Sequence, residues 1–158
     1  MIWFQQSAAD ELVAAVSEKA RATKVGPGRD AESEMGPVIT AAARDRIVGL
    51  IGTGAEQGAD LAVDGRGLTV PGHENGFFVG PTVIDRVTTE MDVYREEIFG
   101  PVLSVVRMDT VDDATLQGGV DLARRGGDHR GVQGLEEVAV HGRDADLLAA
   151  QVRLVHLL

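Results

Sequence analysis

The spacing of apolar residues predicts two helices in the first part of the chain. The first helix has apolar positions at three- and four-residue spacing: Leu12, Val13, Val16 and Ala20. Ser7 and Asp10 stand at capping-box spacing before it, and the Gly-Pro-Gly run at 26–28 is expected to end it. A second helix is predicted to begin near Thr40 and stop near Gly58. Its apolar stripe has four members: Ile47, Leu50, Ile51 and Ala55.

Further along the chain the pattern changes to that of strands. Leu61 and Val63 alternate with polar neighbours, and a turn is predicted at residues 64–67. Three later segments are predicted to be extended: residues 68–70, 77–87 and 102–106. The last of these is rich in β-branched residues, and a third helix is expected near Val111. Helices followed by strands and a helix indicate an α/β fold.

Composition narrows the possible functions of the chain. Its 158 residues suit one domain, and 25 acidic against 15 basic residues give a net charge of −10. This charge argues against binding to nucleic acid or to anionic membrane surfaces. The absence of cysteine excludes disulfides, Cys-based zinc sites and thiol nucleophiles within this chain. With no apolar run of membrane-spanning length and no signal peptide, the expected location is the cytoplasm.

Glu97 and Phe99 are the candidate binding residues. Side chains two residues apart on an extended chain point the same way, so a carboxylate and a flat aromatic face could act together. A ribose beside a nicotinamide ring requires that pair of contacts. The spacing alone is a weak signal and favours a solvated glutamate beside a phenylalanine of the core. No histidine has the spacing to a carboxylate that would indicate a metal site, and His73 is expected to be a solvated loop residue.

The run Glu-Ile-Phe-Gly-Pro-Val at residues 97–102 resembles a distinctive motif of the aldehyde dehydrogenase superfamily. The resemblance implies that Glu97 holds the nicotinamide ribose hydroxyls of NAD and that Phe99 borders the nicotinamide. Gly100 and Pro101 also match, and would set the turn that aims both side chains. The implied fold is a partial catalytic domain of the aldehyde dehydrogenase fold, within an α/β class.

The resemblance covers roughly residues 8–116 and is closest to one branch of the superfamily. The superfamily match includes Val-Gly-Pro-Gly at 25–28. The branch is indicated by Asp-Gly-Arg at 64–66, Gly-Phe-Phe-Val-Gly-Pro-Thr at 76–82 and Asp-Val-Tyr-Arg-Glu-Glu-Ile-Phe at 92–99. That branch contains the CoA-acylating methylmalonate-semialdehyde dehydrogenases. Residues 1–117 are therefore predicted to be part of the catalytic domain. Residues 118–158 do not match, which favours a frameshift or a disordered replacement, with a divergent genuine tail as the alternative.

The family reaction needs groups that this chain lacks. The resemblance implies a reaction in which a cysteine attacks the aldehyde, a hydride passes to NAD, and the acyl group is transferred to CoA. The cysteine, the general base and the oxyanion donor of the family lie upstream of everything matched here. The chain alone is expected to be inactive, and strand 102–106 is expected to keep an uncovered apolar face. The parent enzyme is expected to be a homo-oligomer. The alternatives are water as the acyl acceptor, or a non-catalytic fragment that associates with other chains.

Overall fold

The computed structural model describes the backbone of residues 2–109 and the side chains of residues 9–109. Seven elements follow one another: β1 (Ile2–Gln5), α1 (Gln6–Ala22), α2 (Ala41–Glu56), β2 (Asp60–Val63), β3 (Thr82–Asp85), α3 (Asp92–Arg95) and β4 (Val102–Met108). Three sequence predictions lie outside the described residues: the helix near Val111, the division at residue 117, and the absence of a metal site at the histidines His129, His141 and His156.

The four strands form one mixed sheet in the order β1-β4-β3-β2. Strand β4 is parallel to both of its neighbours, pairing Ile2 with Val105 on one side and Val83 with Leu103 on the other. Strand β2 is antiparallel to β3. The α/β class is confirmed, whereas β1 was not predicted from the sequence.

Each face of the sheet is covered by a helix and has its own apolar cluster. On one face, α1 packs against Val83 and Val105; on the other, α2 and the α3 region pack against Ile84 and Val106. The expectation of an uncovered apolar face on strand 102–106 is therefore wrong. Val105 and Val106 point to opposite faces of the pleated strand, and both are buried because each face has its own helix.

The start and end of α2 follow local rules that the sequence already contained. Thr40 is the N-cap, and its hydroxyl accepts a hydrogen bond from the Ala43 amide at 3.1 Å. At the other end, the amide of Gly58 donates to Ala55 and the amide of Ala59 donates to Gly54. Gly58 has a φ of +101°, the left-handed backbone that this type of helix end requires. The predicted limits of the second helix are thus confirmed.

Three other predictions of local structure need correction. Helix α1 ends at Ala22, ahead of the Gly-Pro-Gly run, where the Thr23 hydroxyl and amide both donate to the Lys19 carbonyl. Residues 68–70 form a loop, since the Val70 carbonyl accepts from the His73 amide in a turn. Only Thr82–Asp85 of the predicted 77–87 segment is a strand, and this strand ends where Arg86 adopts a φ of +56°.

A buried ion pair ties the two central strands together. Both oxygens of Asp85 accept from Arg107, at 3.0 Å from Nε and 2.6 Å from Nη2. The side chains are 7% and 10% exposed, while Asp10 of α1, a second partner of Arg107 at 2.7 Å, is 82% exposed. Burial alone would raise the pKa of Asp85. Hydrogen bonds from Arg107 and the Arg86 amide, with both guanidinium charges, outweigh burial and hold this pKa below its usual value.

We expect Asp85→Asn to lower the free energy of unfolding by about 3 kcal/mol, because it leaves the Arg107 charge buried beside one exposed partner. Urea denaturation of the 158-residue chain measures this, and Asp10→Asn is the control, with a much smaller loss. Since folding lowers the Asp85 pKa, the unfolded chain binds the proton first as pH falls. The advantage of the wild type over Asp85→Asn should therefore shrink below about pH 4. Equal losses for the two variants would contradict this role.

The glycines of α2 allow a second test on one helix. A Cβ atom at Gly54 would lie 2.7 Å from Cγ1 of the buried Val93, whereas one at the exposed Gly49 would meet nothing within 4 Å. We expect Gly54→Ala to destabilise the chain by about 2 kcal/mol through overpacking. We expect Gly49→Ala to stabilise it by about 1 kcal/mol through helix propensity. Thermal or urea unfolding measures both, and a stabilising Gly54→Ala would show that α2 and α3 are not in tight contact.

Candidate functional site

The candidate binding residues lie on the loop between α3 and β4. Glu97 and Phe99 are both exposed, Phe99 to 65%, while Ile98 between them packs against the cluster under α2. This alternation is what an extended chain produces when its middle residue is buried. The alternative of a core phenylalanine is therefore wrong for the described part of the chain. Whether Glu97 and Phe99 bind a cofactor stays a prediction.

Arg46 of α2 holds this loop by its main chain. Its two terminal nitrogens each donate to the carbonyl oxygen of Glu97 at 3.1 Å, and Nη2 also lies 3.1 Å from a carboxylate oxygen of Glu96. Sequence analysis missed this contact, because the partners are 50 and 51 residues apart in the chain. In the sequence, the position of Arg46 is marked only by its neighbour Ile47, a buried residue of the apolar stripe of α2.

The two adjacent glutamates of the loop therefore have different surroundings. The Glu96 carboxylate forms an ion pair with Arg46. For the Glu97 carboxylate, residues 9–109 provide no hydrogen bond and no ion pair. An exposed carboxylate without a protein partner can accept hydrogen bonds from two neighbouring hydroxyls of a ligand. With the exposed ring of Phe99 two residues away, the loop offers hydrogen-bond acceptors and a flat apolar face, which suit a ribose attached to a planar ring.

Close packing fixes the end of the loop where β4 begins. A Cβ atom at Gly100 would lie 2.6 Å from Cδ1 of Ile47, so only glycine fits there without movement of the Ile47 side chain. The carbonyl of Pro101 accepts from the Thr82 amide at 2.8 Å, and the Val102 amide donates to Gly100 at 2.7 Å. Gly100 and Pro101 are thus placed as a scaffold between α2 and the sheet.

Asp92, the first residue of α3, is bound by Gln57 at the C-terminal end of α2. The Gln57 side chain accepts from the Asp92 amide at 2.8 Å and donates to the Asp92 carboxylate at 3.0 Å. This contact anchors the first residue of α3, and sequence analysis missed both α3 and Gln57. A polar residue just after a helix carries no signal for a partner 35 residues away.

Among the described residues, the other candidate features do not form a catalytic or metal-binding site. His73 is an exposed loop residue, as predicted, with its ring 6.5 Å from that of Phe78. A shallow groove runs beside it between Lys24, Ser33 and Pro71, but the Lys24 ammonium is already paired with Glu32. In the described part of the chain, no three or more His, Asp or Glu side chains lie together so that they could hold a metal ion. No helix within residues 2–109 is long and apolar enough to span a membrane.

Curated proteins similar to this chain include dehydrogenases of semialdehydes. A malonate-semialdehyde dehydrogenase of Pseudomonas aeruginosa is 52% identical over 106 residues, covering 67% of this chain and 21% of that protein. An acylating, mitochondrial methylmalonate-semialdehyde dehydrogenase of Arabidopsis thaliana is 46% identical over 105 residues, covering 66% and 17%. The chain thus spans about a fifth of the length of these relatives.

Solved structures agree with the sequence matches. A methylmalonate-semialdehyde dehydrogenase from Oceanimonas doudoroffii superposes with a TM-score of 0.68 at 50% identity, over 71% of this chain and 23% of that one. An aldehyde dehydrogenase of Mycobacterium tuberculosis, solved with NAD⁺, superposes with a TM-score of 0.67 at 42% identity, over 73% and 23%. The model of the aldehyde dehydrogenase family matches residues 1–117. With more than half of its length matched to that family model, the chain belongs to the aldehyde dehydrogenase family.

Proposed function

We propose that this chain carries the nicotinamide-facing loop of an NAD-dependent enzyme that oxidises malonate or methylmalonate semialdehyde to an acyl-CoA. The observation that carries the proposal is the anchored loop, on which the Glu97 carboxylate has no partner among residues 9–109 and the Phe99 ring is exposed. The names of the relatives from Pseudomonas aeruginosa and Arabidopsis thaliana support the substrate class. The word acylating in the latter name supports CoA as the acyl acceptor.

The proposed division of labour follows from the chemistry of the two side chains. NAD, when bound, accepts the hydride from the substrate. Glu97 accepts hydrogen bonds from the ribose hydroxyls, which fixes the position of the sugar. Phe99 offers a flat apolar face against which the ring can lie. Orienting the acceptor of a hydride within reach of its donor is one of the larger contributions that a binding site makes to rate.

The nucleophile of the reaction must come from sequence other than these 158 residues, since they contain no cysteine. Without a thiol, no covalent bond to the aldehyde can form in the way the family reaction needs. The parent protein is proposed to be a homo-oligomer. A cytoplasmic location also stays a prediction, because the Arabidopsis relative is named as mitochondrial.

We expect the purified chain to produce no NADH from malonate or methylmalonate semialdehyde, with or without CoA. The physical reason is the missing thiol. Absorbance of NADH at saturating substrate measures this, with a full-length relative as the positive control. Any turnover within a hundredfold of a typical rate of about 10 per second would contradict the assignment of the nucleophile to other sequence.

A chimera allows a test of Glu97 in a complete enzyme. The segment of this chain that matches the Pseudomonas aeruginosa relative replaces its counterpart in that protein. Glu97→Gln in this chimera is expected to slow single-turnover hydride transfer about tenfold, because the amide is a weaker acceptor for hydroxyls. The melting temperature should stay unchanged, because the side chain is exposed and has no partner among residues 9–109.

Glu96→Gln is the matched control, because its carboxylate faces Arg46 and is not proposed to reach the ribose. It should affect hydride transfer less than Glu97→Gln does. An unchanged hydride rate in Glu97→Gln, or a large loss of stability, would count against the proposed role of Glu97.

A further inference from the structure

Four contacts between helix α2 and the segment from Asp92 to Gly100 bear on the position of the loop. Gln57 binds Asp92 beyond the C-terminal end of the helix, and Gly54 allows the close approach of Val93. Towards its N-terminal end, Ile47 fits against Gly100 and Arg46 binds the main chain at Glu97. Three of these contacts involve packing or a helix end. The fourth contact, from Arg46, is made to the main chain of Glu97, whose carboxylate is proposed to bind the ribose.

We propose that Arg46 is a positioning residue that sets the direction of the Glu97 side chain toward the nicotinamide ribose. This inference rests on the proposed function. The carbonyl that Arg46 binds is the carbonyl of Glu97 itself, so the two hydrogen bonds fix the peptide plane after Glu97. A fixed peptide plane and a buried Ile98 leave little freedom to the backbone of Glu97. The carboxylate then needs to order only its own side-chain torsions when a ligand binds.

An arginine is suited to this task in a way that lysine is not. The planar guanidinium places two nitrogens on one carbonyl oxygen and still directs Nη2 to the Glu96 carboxylate. A lysine ammonium could hold the charge of Glu96 but would hold the carbonyl in a less defined direction. The interaction also pairs the neighbouring carboxylate of Glu96, whereas the Glu97 carboxylate has no partner among residues 9–109.

The contact contributes to geometry more than to stability. The side chains of Arg46 and Glu96 are 47% and 54% exposed, and ion pairs of that exposure add little to the free energy of folding. Arg44 of the same helix is a matched comparison: it pairs with Asp45 and lies 5.9 Å from the centre of the Phe77 ring. Neither contact reaches the loop of Glu97.

The structural part of the proposal is tested in the full 158-residue chain by NMR. Arg46→Leu should shift the carbonyl carbon resonance of Glu97 upfield, because that oxygen loses its hydrogen bonds. Arg44→Leu should leave this resonance in place. An unchanged Glu97 resonance in Arg46→Leu would overturn the proposal.

The functional part is tested in the chimera described above, by NAD titration, hydride transfer and melting. Arg46→Leu is expected to weaken NAD binding about tenfold, which is the size of effect that follows the loss of one or two hydrogen bonds. Arg46→Lys should weaken NAD binding by less than this, and Arg44→Leu should leave it unchanged. Melting temperatures should be alike. A uniform effect of all three variants, or an effect of Arg46→Leu on melting alone, would overturn the positioning role.

A double-mutant cycle separates this inference from the proposed function. If Arg46 acts through Glu97, Arg46→Leu should have little further effect on hydride transfer once Glu97→Gln is present. Fully additive effects would overturn the inference and leave the role of Glu97 standing. If Glu97→Gln alone changes neither NAD binding nor hydride transfer, the proposed function fails, and the inference fails with it.

Discussion

Strand β4 is buried on both faces and parallel to a neighbour on each side, and the rest of the described structure is arranged around it. Val105 packs toward α1 and Val106 toward α2, so both helices must lie across this strand. The pair of Arg107 and Asp85 adds a polar connection to β3, with geometry good enough to keep two charges out of water. Because β4 is packed on both faces and paired on both edges, the loop that precedes it ends at a fixed point.

Helix α2 then determines the path of that loop. Apolar contacts and glycine approaches place α3 and Gly100 against the helix, and Arg46 binds between them. The exposed tips of the loop are thus carried by a rigid base. Binding groups on exposed loops with rigid support lose less freedom when a ligand arrives than groups on unsupported loops do.

Family membership and the missing cysteine together limit the chemistry of this chain. In the proposed function, the described residues orient the cofactor, through a carboxylate and a ring that have no other partner within residues 9–109. They cannot form a thioester, for which the 158 residues contain no thiol.

The sequence by itself determined the features that depend on neighbouring residues. The cap at Thr40, the left-handed glycine after α2, the apolar run of β4 and the motif at residues 97–102 are all local patterns. The tertiary structure alone decided which of two adjacent glutamates is paired, that Phe99 is exposed, and that β4 is covered on both faces. Those outcomes depend on contacts such as that of Arg46 with Glu97, between residues 51 apart in the chain. Hydrophobic periodicity carries no record of such contacts, because it reports which face of an element is apolar and not which element will cover it.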